Sequence, residues 1–135
     1  MYLLDTSSCI VFLNDSSAPL AGRLREHASP EIRLCAITKA ELYYGARHSG
    51  RAAENLRLLG RFFEPFICLP FDDLCAEHYG LIRADLAFRG QLIGPNDLLI
   101  AATARAHDLT LVTSNLGEFS RVVGLQCEDW QGAPG

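Results

Sequence analysis

The sequence predicts an α/β fold built on a mostly parallel sheet of four to five short strands. Short continuous apolar runs recur along the chain without the strict alternation of half-exposed strands, as strands buried on both faces require. Segments of helical periodicity separate these runs, and that alternation marks a parallel sheet with helical crossovers. The length of 135 residues fits one domain, expected over 1–131, with 132–135 of the QGAPG end read as a flexible tail.

Each element has a local reason. Tyr2–Leu4 is the first apolar run, and Thr6, Ser7 and Ser8 offer caps for a helix through about Asn14. Leu20–His27 reads as a short helix and Ile32–Ile37 as the second strand. Thr38 opens a helix carrying Ala40, Leu42, Tyr43 and Ala46. After a break at Ser49–Gly50, helical spacing resumes over Ala52–Phe63 and ends at Pro65. Phe66–Leu69 is the third strand, and Asp72 caps a long helix to about Phe88. Pro95 suits the first turn of the next helix, which is apolar nearly all round through Ala106 and so belongs in the interior. Leu109–Val112 is the fourth strand and Val123–Cys127 the fifth.

Composition narrows the function classes. The chain is 49% apolar and 21% charged, which is globular rather than disordered. Its apolar runs are far shorter than the ~20 residues of a spanning helix, so no membrane role is expected. The start MYLLDTSS lacks a basic n-region, so a cytoplasmic location is expected. A net charge of −4 argues against general coating of nucleic acid. Charge is uneven, however. Lys39, Arg47, Arg51, Arg57 and Arg61 face only Glu41 and Glu54 within residues 39–61, which offers either a phosphate-contacting face or a solvated one. The five cysteines form no C-x-x-C pair, and the four histidines share no ligand spacing with them or with each other. The cysteines therefore read as small buried hydrophobes, and no zinc site is expected.

Polar or acidic residues follow the strands. Asp5 comes directly after Tyr2–Leu4, as a turn or cap carboxylate or as a site residue. Thr38-x-x-Glu41 matches a capping box, which would occupy Glu41 structurally. The same geometry points Glu41 into the crevice above the sheet. Asp97 lies in the first turn of the apolar helix, where an unpaired buried charge needs compensation. Asn115 can cap a short helix with Glu118 in its first turn. Four such positions after four strands gather at one sheet edge, where ligands bind in α/β folds. Crowded carboxylates repel unless a cation sits among them, and an all-oxygen set suits Mg²⁺ or Mn²⁺.

These residues carry a family resemblance. The segments YLLDTSSCI, AITKAELYYGA, LPFDDLCAEHYGLIRADLAFRGQLIGPNDLLIAATARAHDLTLVTSN and LGEFSRVVGLQCEDW span essentially the whole chain in order. Together they resemble PIN-domain ribonucleases, specifically VapC-type toxins of type II (VapBC) toxin–antitoxin systems. The resemblance implies an α/β/α sandwich and an Mg²⁺-dependent endoribonuclease, with Mn²⁺ as a substitute. It places the catalytic acids on Asp5, Glu41 and Asp97, with Asp5 and Asp97 as metal ligands. The usual fourth Asp is Asn115 here, and Glu118 could supply the carboxylate instead. Thr6 and Thr113 match hydroxyl residues that line the pocket, and Ser7 stands where Asn is more usual. Hydrolysis by a metal-activated water would leave a 3′-hydroxyl and a 5′-phosphate.

The same resemblance implies a VapB-type antitoxin with a basic side chain reaching into the acidic pocket. It also implies a homodimer, an RNA substrate, and operator DNA bound only through the antitoxin complex. Arg83, Arg89 and Arg105 join the Arg47–Arg61 stretch as candidates for RNA backbone contact. Tyr43 and Tyr44 offer a partner surface or core packing, and Gly45 in mid-helix suggests close approach of another element. Two alternatives remain open, a degenerate PIN domain that only binds a partner and a DNA-directed nuclease. A phosphoaspartyl phosphatase would need a second Asp two residues after Asp5, where Ser7 stands.

Overall fold

The computed structural model describes residues 1–132, and the expected tail at 132–135 lies outside them except for Gly132. Gly132 is held by its backbone N–H, which donates to Asp129 Oδ1 at 3.0 Å. Five strands form one sheet: β1 (Tyr2–Leu4), β2 (Ile32–Cys35), β3 (Ile67–Leu69), β4 (Thr110–Val112) and β5 (Cys127–Glu128). Their order is β3-β2-β1-β4-β5 and every pairing is parallel. Among the described residues seven α-helices connect them, α1 (Thr6–Asn14), α2 (Pro19–Arg25), α3 (Ala36–His48), α4 (Ala52–Phe63), α5 (Asp73–Phe88), α6 (Pro95–Ala106) and α7 (Leu116–Phe119), with a 3₁₀ turn at Ser29–Glu31 before β2.

The strands read as unbroken apolar runs because both faces are covered. Leu3 and Leu111 pack with Ile82, Leu86, Leu98, Ile100 and Phe119 of α5, α6 and α7. Their neighbours Leu4 and Val112 point the other way, against Cys9, Leu20, Leu42, Leu59 and Phe63 of α1 to α4. The result is the expected α/β/α sandwich. Trp130 is completely buried on the second face, between the His27 ring stacked at 5.1 Å and the edge of Tyr2 at 5.0 Å. The apolar α6 is interior as expected, with Leu98 and Ile100 through Ala104 all buried. No helix among the described residues is long and apolar enough to cross a membrane.

Three local expectations need correction. The cap of α1 is Asp5 rather than a hydroxyl residue, with Asp5 Oδ1 accepting from the Ser8 N–H at 2.8 Å. Strand β2 stops at Cys35 and α3 begins at Ala36, so Thr38 and Glu41 lie inside the helix and form no capping box. The fifth strand is Cys127–Glu128, because pairing with β4 begins only at Cys127. Residues 123–125 instead carry an exposed Val123 and a turn at Gly124, whose φ of +82° favours glycine.

Candidate active site

The strand order reverses between β1 and β4, on either side of which the connections run outward in opposite directions. Such a switch point opens a crevice at the carboxyl edge of the sheet. Asp5 leaves β1 there, and its N–H donates to the Val112 carbonyl at 3.1 Å. Thr113 leaves β4 beside it. A cleft of about 330 Å³ opens above this edge, lined by Asp5, Thr6, Ser7, Glu41, Asp97 and Asn115 among others. Three acids from separate parts of the chain therefore face one space.

Asp5 is almost fully buried, at 4% exposure, and its side chain is held by two donors. The Ser8 N–H binds Oδ1, and the Ser7 hydroxyl lies 3.0 Å from both carboxylate oxygens. Ser7, where Asn is more usual, thus serves Asp5 directly. Ser8 donates its hydroxyl to the Val112 carbonyl at 3.0 Å and ties α1 to β4. Glu41 is oriented by the Thr6 hydroxyl, which donates to Oε1 at 2.6 Å and lies 3.2 Å from the Thr38 hydroxyl. Thr38 is fully buried beneath this pair. Sequence reasoning missed its place, because assigning Ile37 to β2 turned it into a cap.

The other wall comes from α6 and α7. Asp97 lies in the first turn of α6, and its carboxyl is pushed up to about 7. Burial is the leading cause, followed by the adjacent Glu118 carboxyl and then by the charges of Asp5 and Glu41. Asn115 is the N-cap residue of α7 as expected, but its side chain makes no capping bond and its amide donates to Glu118 Oε2 at 3.0 Å. Thr113, buried below, accepts the Asn115 N–H at 2.9 Å and fixes the loop. Glu118 therefore reaches the cluster through Asp97 and Asn115.

The donors in this cleft are carboxylate and amide oxygens, with hydroxyls behind them. That set fits a hard divalent cation such as Mg²⁺ or Mn²⁺. The raised Asp97 carboxyl reflects its burial first and the neighbouring acids Glu118, Asp5 and Glu41 second.

The basic residues divide into two groups. Arg89 is tied to Asp85 at 2.7 Å and to the Arg121 carbonyl, Arg105 to His78 and the Val123 carbonyl, and Arg83 to the Tyr79 hydroxyl. All three therefore have hydrogen-bond partners within the chain. Arg47, Arg57 and Arg61 are exposed on α3 and α4. Beside them an apolar groove of about 400 Å³ runs between α1, α3 and α4, lined by Ile10, Leu42, Gly45, Leu58 and Leu59 and reaching Glu41. Gly45 does not mark close approach within the chain, since a Cβ there meets nothing within 4 Å. Tyr43 and Tyr44 are exposed beside it, which settles them as surface rather than core.

Comparison with known proteins follows the same pattern. A family model described as the PIN domain matches residues 2–125. The chain is 38% identical over 129 residues to ribonuclease VapC2 of Haemophilus influenzae, covering 96% of this chain and 97% of that protein. It is 37% identical over 129 residues to the tRNA(fMet)-specific endonuclease VapC of Shigella flexneri, with 96% and 97% covered. Among solved structures it resembles a chain of VapBC2 from Rickettsia felis bound to a DNA fragment from its promoter. That match has a TM-score of 0.90 and 35% identity, and covers 96% of this chain and 98% of that one.

Proposed function

The chain belongs to the PIN domain family, among its VapC ribonucleases, and from that premise we propose that it is the toxin of a toxin–antitoxin pair, a metal-dependent endoribonuclease acting at the Asp5–Glu41–Asp97 cleft. The observation that carries this reading is the convergence at the β1/β4 switch point. Acids from the end of β1, from α3 and from α6 meet there, and Asp97 is raised to about 7 by its burial first and then by its acidic neighbours.

Asp5 and Asp97 would hold Mg²⁺, or Mn²⁺ in its place. When bound, the ion supplies Lewis acidity, lowering the pKa of a water and neutralising charge that develops on the phosphate. Ser7 and Ser8 fix the Asp5 carboxylate, so its orientation needs no rearrangement when a ligand arrives. Thr6 occupies Glu41 Oε1, leaving Oε2 to orient the attacking water and accept its proton. Asn115 holds Glu118 beside Asp97, and this pair forms the fourth position of the site. Attack in line on the phosphodiester leaves a 3′-hydroxyl and a 5′-phosphate.

An acidic cleft repels RNA, so attraction must come from elsewhere. The exposed Arg47, Arg57 and Arg61 supply it from α3 and α4. The apolar groove that reaches Glu41 suits an antitoxin segment, with a basic side chain of that segment entering the cleft. In this reading the toxin is a homodimer and meets operator DNA only through its antitoxin.

Cleavage of cellular RNA by antitoxin-free protein tests the proposal. Initiator transfer RNA is the first defined substrate to include, because the Shigella flexneri relative is named as specific for it. Discrete products are expected with Mg²⁺ or Mn²⁺, none with EDTA, and none from an Asp5→Ala/Asp97→Ala variant. Intact RNA under every condition would leave a partner-binding module as the better reading. Cleavage of DNA but not RNA would reassign the substrate.

A further inference from the structure

At the end of α6 remote from Asp97, three side chains of different chemistry converge. Asp72 caps α5, Cys75 lies in the first turn of that helix, and His107 closes α6. One ligating atom from each lies within 4.8 Å of the other two, and no other such trio is found among the described residues. About ten residues of helix separate His107 from Asp97, or roughly 15 Å, so this trio is distinct from the acidic cleft.

Its present bonding is incomplete. Asp72 Oδ1 accepts the Cys75 N–H at 3.0 Å, while Oδ2 stands 3.9 Å from His107 Nε2, beyond hydrogen-bond length. His107 Nε2 is buried and has no partner, the one side-chain polar atom in that position among the described residues. A buried polar atom without a partner is uncommon and asks for an explanation. Cys75 is completely buried, and its Sγ makes a long contact of 3.9 Å to the Pro70 carbonyl, with Asp72 and Thr103 also beside it. The Asp72 side chain remains open to solvent.

We infer that Asp72, Cys75 and His107 form a binding site for a borderline-soft divalent transition metal of the Zn²⁺ class, separate from the Mg²⁺-type cleft. One oxygen, one sulfur and one nitrogen donor are a zinc set, and thiolate and imidazole are poor ligands for Mg²⁺. Tetrahedral ligands on bonds of about 2.0–2.3 Å lie roughly 3.3–3.8 Å apart. Side-chain rotation of Cys75 and of the partly exposed His107 can draw the trio together by the ångström required. Binding releases the Cys75 thiol proton to solvent and leaves the thiolate on the ion. Water fills the fourth position on the exposed Asp72 side. The ion clamps the start of α5 to the end of α6. The sequence concealed the trio because its spacing, two ligands three residues apart and a third after two intervening helices' worth of chain, matches no short motif.

Cobalt titration of the full chain tests this. The Asp5→Asn/Asp97→Asn background silences the acidic cleft, so the result is independent of the nuclease proposal. One equivalent of Co²⁺ should give a near-ultraviolet thiolate-to-cobalt band, which one equivalent of Zn²⁺ removes. Cys75→Ser should abolish the band, whereas Cys68→Ser and Cys127→Ser should leave it. His107→Gln, at a partly exposed position that tolerates change, should weaken zinc binding by more than the roughly 10–100-fold typical of an outer-shell loss. A missing band in the parent chain, a band that survives Cys75→Ser, or unchanged affinity in His107→Gln would overturn the assignment. If Cys75→Ser does not fold, the His107→Gln affinity decides.

Discussion

Replacing Asp97 by Asn should stabilise the metal-free protein while abolishing its nuclease activity. Folding raises this carboxyl from 3.8 to about 7, so the native state holds a proton that the unfolded chain has already released between these values. Stability therefore falls as pH climbs through that window and is flat above it. At about 1.4 kcal/mol per pH unit the full shift corresponds to roughly 4 kcal/mol, but Asp97 is only partly buried. Solvent screening reduces the recoverable share to about 1–2 kcal/mol. Asn keeps the size and a donor toward Glu118 without the charge. For a chain of this length 1 kcal/mol moves Tm by about 3–4 °C, so a gain of roughly 3–8 °C is expected. The assay is thermal unfolding in EDTA at pH 8 and again at pH 4, where wild type is neutral at this position and the gain should vanish. Mg²⁺ added at pH 8 should raise the wild-type Tm and leave the variant unmoved. A variant destabilised at pH 8, or shifted equally at both pH values, would refute the account of crowded charge.

Thr6→Val removes the hydroxyl that orients Glu41 and should lower kcat about tenfold or more with little change in metal affinity, while Thr6→Ser restores the rate; metal titration beside single-turnover cleavage separates the two effects. Trp130→Ala empties a fully buried ring site next to β5 and should lower stability by about 3–5 kcal/mol in urea unfolding. Gly45→Ala adds a Cβ into open space inside α3 and should stabilise the isolated chain by about 0.5–1 kcal/mol by helix propensity. The same change fills part of the apolar groove, so calorimetric affinity for the antitoxin should fall.

Much of the fold was legible because its signals are local. Asp72 capping α5, Pro95 opening α6 and the run Ala52–Phe63 each lie where neighbouring residues alone place them. The misread elements depend on distant partners. Strand β2 ends at Cys35 because its mate β3 ends at Leu69, and no property of Ile37 reveals that. The fifth strand exists only where β4 offers a partner edge. Asp5, Glu41 and Glu118 could be picked out singly by the strands before them. Asp97 follows α5 and not a strand, which corrects the expectation of four positions after four strands. Their meeting depends on β1 lying beside β4. The hydroxyl layer beneath Glu41 was hidden for a further reason. Thr6 and Thr38 are far apart in sequence, and their bond forms only when α1 and α3 pack.

The placement of β1 between β2 and β4 also sets a schedule for synthesis. Tyr2 to Leu4 leave the ribosome long before one of their two neighbours, Thr110 to Val112. At about 5–20 residues per second, the first strand waits roughly 5–20 s with that edge open. Through this interval Asp5 has no β4 carbonyl to fix its backbone, and Asp97 has no Glu118 beside it. An unfinished or prematurely terminated chain is therefore unable to assemble the cleft. A harmful activity confined to chains that extend past Glu118 gives an inhibitor made nearby time to be present when it first appears.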